Sequence, residues 1–183
     1  SISLNSGSLN TSIPYYFNLA PHYDLLLTSH LLQDHGVLFE ANARHLSRHF
    51  ETDINLSHLS NDSGGLSDSD TELIANGTYT VEQVVPFAGK DRWSIGIHQT
   101  GGKDKPWFST IDYNEVSDYE YLDDFNASII KTNSTVSLNQ QITAGYQFKH
   151  WRLTVNTQQY QRLESHITRP FKLVPQINFD GEY

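Results

Sequence analysis

The chain has no cysteine and no methionine. The missing cysteines exclude disulfide scaffolds, Cys-type zinc sites, iron–sulfur clusters and thiol nucleophiles. Basic residues are scarce: 12 Lys and Arg stand against 21 Asp and Glu, for a net charge of −9. A nucleic-acid footprint needs clustered cations to displace phosphate counterions, so no nucleic-acid partner is expected. No apolar run approaches the ~18–20 residues of a membrane-spanning helix. Charged residues are 18% of the chain, too few for a highly charged disordered chain. The first residue is Ser1, so the chain reads as a processed protein or a piece of a longer one. No stretch within the sequence reads as a signal peptide.

Neutral polar residues and aromatics (3 Trp, 10 Tyr, 9 Phe) fill the space that charge leaves. That is a strand composition. The dominant period is two. Ile13, Tyr15, Phe17 and Leu19 alternate with Ser12, Pro14, Tyr16 and Asn18. Val37, Phe39, Ala41 and Ala43 alternate with Leu38, Glu40, Asn42 and Arg44. Phe50, Thr52, Ile54 and Leu56 alternate with Glu51, Asp53, Asn55 and Ser57. Leu153, Val155 and Thr157 oppose Thr154, Asn156 and Gln158, and Val136–Ile142 is a looser version. Such alternation predicts half-buried strands of roughly 9–14 residues. A tilted strand needs about 9–11 residues to cross a bilayer.

Turn signals separate the strands at 5–8, 20–23, 33–36, 47–49, 101–106, 149–150 and 165–168. Two connections are long and acidic. Ser60–Asp91 carries Asp62, Asp68, Asp70 and Glu72, and Ser117–Asn133 carries Asp118, Glu120, Asp123 and Asp124. Asn76-Gly77 in the first predicts a hairpin between Leu73–Ala75 and Thr78–Val85. An even number of strands separates the two loops, which places them on one rim, their carboxylates facing outward. Period two cannot distinguish a sandwich, with its apolar face inside, from a barrel, with that face turned to lipid.

Nothing proposes an active site. There is no His-Glu-x-x-His, phosphate loop or nucleophile elbow. His45 and His49 share a strand face but lie about 13 Å apart, too far for one ion. The acidic loops lack EF-hand spacing and read as solvated. No enzyme, cofactor or metal is expected. Pro14 is the informative position: a proline inside an alternating run removes a ladder hydrogen bond where one belongs.

The segment Pro14-Tyr15-Tyr16-Phe17-Asn18-Leu19-Ala20-Pro21-His22-Tyr23-Asp24 resembles the start of the barrel in the LPS-assembly LptD family. Phe39–Ser47, Arg92-Trp93, Trp107–Asp118, Tyr121–Phe125, Thr154–Gln161 and Pro175–Phe179 continue the likeness in order. The resemblance implies an all-β fold, an antiparallel up-and-down meander forming part of a large transmembrane outer-membrane β-barrel. Residues 1–183 would supply about the first ten strands, with a periplasmic jelly roll and the remaining strands outside them. The implied function is insertion of lipopolysaccharide (LPS) into the outer leaflet of the Gram-negative outer membrane, through a lateral seam. The implied partners are LPS, outer-membrane lipid, the lipoprotein LptE in the lumen and the LptA bridge, which reaches the periplasmic domain. Pro14 matches the family's kink in the second barrel strand, beside the seam. The alternatives are another, porin-like outer-membrane channel and a soluble β-sandwich binding module.

Overall fold

The computed structural model describes residues 2–5, 8–66, 68–125, 136–163 and 172–181. Ten strands form one antiparallel sheet: β1 (Ile2–Asn5), β2 (Ser8–Ala20), β3 (Tyr23–Leu32), β4 (Gly36–Leu46), β5 (Phe50–Leu59), β6 (Arg92–Gly101), β7 (Trp107–Val116), β8 (Ser137–Gln147), β9 (Trp151–Arg162) and β10 (Lys172–Gly181). Their order in the sheet is their order in the sequence. The expected meander is therefore present. The sandwich alternative needs two packed sheets, and the described residues form one.

The register sorts the side chains into two faces. Ile13, Ser29 and Phe39 stand side by side, as do Tyr15, Leu27 and Ala41, then Phe17, Leu25 and Ala43. Leu56, Ile95, Ile54, Ile97 and Ile111 continue that apolar face across β5–β7. It is open: Ile13, Tyr15, Leu19 and Phe39 are each 60–66% exposed. The opposite face is polar. It carries the row Arg44, Asp53, His98, Asp112, Gln141 and Gln158 across six strands, with Asn42, Asn55 and Asn114 in the row beside it. A water-soluble sheet protein buries the apolar face and exposes the polar one. Here that arrangement is inverted, and residues of the connection after β7 pack over the polar face.

One expectation is corrected. Residues 68–84 form two short helices, α1 (Asp68–Ala75) and α2 (Val81–Val84), not a hairpin. Asn76-Gly77 ends α1 instead of turning a strand. Gly77 takes φ +72°, and the Gly77 and Thr78 N–H groups donate back to Ile74 and Leu73 carbonyls. This left-handed C-terminal stop suits glycine. Thr80 then opens α2, its N–H donating to Gln83 Oε1 at 2.9 Å.

Candidate functional site

The sheet has two unlike ends. At one end sit tight turns: 21–22, 47–49, 102–106 and 148–150. The Gly102 turn has φ +93°, and a Cβ there would fall 2.0 Å from the Trp107 carbonyl oxygen, so only glycine fits. Aromatic pairs gather along this rim. Phe50 lies 5.2 Å from Trp107, Tyr146 4.7 Å from Phe148, and Trp151 stacks on Phe179 at 4.9 Å. Phe50, Trp107, Tyr146, Trp151 and Phe179 belong to the apolar face by register. An aromatic girdle of this kind marks a membrane–water boundary in transmembrane barrels. The polar face opens here into a hollow of about 700 Å³ lined by Tyr16, Asp24, Arg44, Asp53, His98 and Asp112, among others. Arg44 grips Asp24 with two hydrogen bonds, at 2.8 and 2.7 Å, in full view of solvent.

Mid-wall, several polar side chains bond one another across the strands. Asn42 Nδ2 donates to Asn55 Oδ1 at 2.5 Å, and Asn139 Nδ2 donates to Asp112 Oδ2 at 2.7 Å. Gln158 Nε2 reaches Asn139 Oδ1 at 2.8 Å, and Thr143 Oγ1 reaches Asn156 Oδ1 at 2.8 Å. These cross-strand bonds between amides, hydroxyls and carboxylates tie neighbouring strands together on the polar face.

The other end carries the two long connections, on one rim as expected, but they turn inward. After β7 the chain folds over the polar face as α3 (Tyr121–Phe125). Tyr121, Leu122 and Phe125 are buried in a cluster with Leu38, Leu59, Val116, Leu138 and Leu163. Tyr121 Oη lies 2.5 Å from Ser57 Oγ, which anchors α3 to the polar face. The first residue of β6, Arg92, is 2% exposed. Its Nε and Nη2 bond both Asp118 oxygens, at 2.9 and 2.6 Å. Its Nη1 bonds Asp62 Oδ2 at 2.9 Å and Asp124 Oδ2 at 2.6 Å. The guanidinium also lies 4.5 Å from the Phe125 ring centre and 5.0 Å from that of Phe87. Asp62 is further held by His35 Nδ1 at 2.7 Å and by the Gly64 N–H at 2.8 Å. Burial pushes the Asp62 carboxyl up, but its bonds to Arg92, the Gly64 N–H and His35 outweigh burial and hold it below the ordinary range. Burial, reinforced by the nearby Asp124 charge, raises the Glu120 carboxyl.

The expectation that these loop carboxylates face outward is therefore wrong for Asp62, Asp118 and Asp124. All three point at one buried cation, because a guanidinium in an apolar site needs paired anions. Sequence reasoning missed Arg92. The signals were there: a lone arginine opening a strand between two acidic loops, and Tyr121 and Phe125 at helical spacing. The histidines disperse. His30 sits 2.8 Å from Glu40, His45 stacks on Tyr23, and His35 joins Asp62. Among the described residues no three His, Asp or Glu side chains assemble as a metal site.

Pro14 lies within β2, opposite Thr28 of β3, and the register to β3 runs from Asn10 through Asn18. On the other side, the β1–β2 ladder described here ends with Ile2 opposite Thr11.

Residues 90–183 match the family model for LptD, LPS transport system D. The chain is 35% identical over 183 residues, 99% of its length, to an LPS-assembly protein LptD from Saccharophagus degradans, and covers 21% of that protein. It is 32% identical to one from Pseudomonas aeruginosa LESB58, with 92% of the chain and 16% of the relative covered. For one from Vibrio vulnificus CMCP6 the identity is 28%, with 97% and 20% covered. The chain thus spans about a fifth of the length of these curated relatives. An inside-out meander with an aromatic rim, matched by this family model over more than half its length, belongs to the LptD family of LPS transport proteins.

Proposed function

We propose that residues 1–183 are the first ten strands of a large barrel in the outer membrane of a Gram-negative bacterium. The whole protein inserts LPS into the outer leaflet through a seam in that barrel. The observation that carries this reading is the inverted sheet: an exposed apolar face with an aromatic rim, backed by a hydrogen-bonded polar wall. A ten-residue strand is ~33 Å long. Tilted by about 40°, it covers about 25 Å, the height of the apolar band of an outer-membrane barrel. The sheet is open at β1 and β10, and an open edge in lipid leaves backbone groups unsatisfied. The remaining strands come from outside this stretch, in keeping with relatives about five times longer.

LPS joins several acyl chains to a charged saccharide. An apolar outside and a polar inside suit the two parts, provided the wall opens sideways. Pro14 is placed to weaken it. It lacks the N–H of a ladder bond, at ~1 kcal/mol per bond lost, and lies in the strand next to the first. LptE in the lumen and LptA at a periplasmic jelly roll are the partners of this reading. A porin-like channel would need none of them and no weak seam.

The test is Pro14→Ala in the full-length protein, in cells that depend on it. Surface LPS, counted with a membrane-impermeant label, is expected to fall several-fold while the barrel assembles in normal amount. Undiminished delivery, in this variant and in one that also replaces any proline of the preceding strand, would show that proline does not set the seam.

A further inference from the structure

The two rims differ in charge as well as in length. The long connections, 60–91 and 117–133, hold ten carboxylates against Lys90 and Lys131. The tight turns at the opposite rim hold Arg48, Lys103, Lys105 and Lys149 against one carboxylate, Asp104. All four of these cations are exposed. None has an ion-pair partner among the described residues, whereas Arg44 and Arg92 are both bound by aspartates. Their spacing repeats. Arg48, Lys105 and Lys149 each stand two residues ahead of an aromatic, Phe50, Trp107 and Trp151, that begins β5, β7 and β9 on the apolar face. The turns are also tied to one another. Gly102 N–H donates to His49 O at 2.9 Å, and Gln147 N–H donates to Pro106 O at 2.6 Å.

We propose that this rim is a binding edge for anionic glycerophospholipid of the leaflet that faces the periplasm, with one headgroup phosphate at each cation–aromatic turn. This rests on the reading of the sheet as a barrel wall in a membrane. The rings mark the boundary between acyl chains and headgroups. A Lys or Arg stem two residues further out runs past that boundary and sets its charge at the level of the phosphates. No ion pair among the described residues has to break for a phosphate to take its place there. Each cation near an anionic lipid surface adds to the attraction. A zwitterionic headgroup offsets that gain, because it brings an ammonium beside its phosphate. β5, β7 and β9 are alternate strands, so the turns repeat about every 10 Å, at ~4.8 Å per strand. That spacing gives each turn room for a two-chain lipid. The rings beside the cations lie on the apolar face and not on the interior one, which favours lipid over a protein in the lumen as the occupant.

The experiment weighs the full-length protein with its co-purifying partners by native mass spectrometry, in detergent holding equal amounts of phosphatidylglycerol and phosphatidylcholine. Phosphatidylglycerol is expected to be retained about threefold or more over phosphatidylcholine. Lys105→Gln with Lys149→Gln should remove roughly a third of that excess, and adding Arg48→Gln and Lys103→Gln roughly half or more. A pair on the opposite rim, Lys90→Gln with Arg162→Gln, removes two exposed charges as well and should leave the excess unchanged. No excess in the wild-type protein, or an excess that survives all four turn substitutions, overturns the lipid edge. Equal loss from the opposite-rim pair overturns it too, because net charge would then account for the preference. Loss of a co-purifying partner with the excess intact would make the turns a protein contact and overturn it likewise. The Lys105 and Lys149 pair decides the matter if the fourfold variant does not assemble. A protein that is no membrane barrel would retain few lipids of either kind, whereas failure of this edge alone shows as equal numbers of the two, so the two readings fall separately.

Discussion

The two rims hold the same chemical pair in opposite settings. At the short-turn rim, Arg44 meets Asp24 in a bidentate bond with the arginine side chain 58% exposed. At the long-loop rim, Arg92 meets Asp118 in the same two-bond geometry with 2% exposure, and collects Asp62 and Asp124 besides. The first pair competes with water and salt, and such pairs contribute little. The second has no water to fall back on, so each partner depends on the others. A list of salt bridges would rank the two alike. Burial separates them, and it separates what the rims do: one is an open hollow, the other a closed cap.

The comparison breaks most visibly at Arg92. Truncating one member of a buried ion cluster costs roughly 3–5 kcal/mol. Arg92→Met should therefore speed amide hydrogen exchange at 62–65 and 118–124 by roughly two to three orders of magnitude, at about 1.4 kcal/mol per decade. Exchange in β2–β4 should stay as it was. Equal protection of the cap in the variant would mean the aromatic packing alone holds it.

Acid gives the next largest effect. The Asp62 carboxyl is depressed in the folded cap, so its stabilisation is present above the ordinary carboxylate range near ~4 and is lost as pH falls through its lower folded value. Glu120 runs the other way. Its carboxyl is raised, so the stability it gives is present below the ordinary value and fades as pH rises through the folded one. Cap protection should then drop as pH falls below the ordinary Asp value of about 4, while the Glu120 contribution fades as pH rises above the ordinary Glu value of about 4.3. A monotonic rise through neutral pH would contradict the Glu120 assignment.

The smallest effect is expected at Arg44. Arg44→Ala should cost under ~1 kcal/mol, and 0.5 M salt should remove most of the wild-type advantage. Exchange near 22–24 and 44–46 would change less than about fivefold. A loss comparable to that of Arg92→Met would erase the distinction between the rims.

The wall was legible in the sequence because one rule generates it. Ile13 to Leu19 and Val37 to Ala43 alternate strictly, and the register places their odd positions on one face. Alternation is silent on which face meets water, and that came from exposure. The cap was not legible for a different reason. Asp62, Asp118 and Asp124 lie in loops rich in Asp, Ser and Asn, where solvation is the natural reading, and their partner is 26 to 32 residues away in sequence. Local pattern cannot find a bond between a strand's first residue and two loops that fold back over it. Asn76-Gly77 misled because one dipeptide suits both a hairpin turn and a helix stop. The residues before it, Thr71-Glu72-Leu73-Ile74-Ala75, decide for the helix.

Strict sequence-order pairing bears on how such a wall is made. Every strand from β2 to β9 finds both partners among its immediate neighbours, so the sheet can be laid down as a zip, one hairpin at a time. The longest gap to close between paired strands is the 60–91 connection, and the entropy of closing a loop grows only with the logarithm of its length. No distant strand has to arrive before a near one is satisfied, which keeps the search local and fast. The growing edge is a single row of unpaired N–H and C=O groups that moves along as each strand is added. At β10 that edge carries a register shift between Leu173 and Gln176, at Pro175. A bend there twists the exposed row away from flat pairing, so that edge offers a poor template for a stray strand.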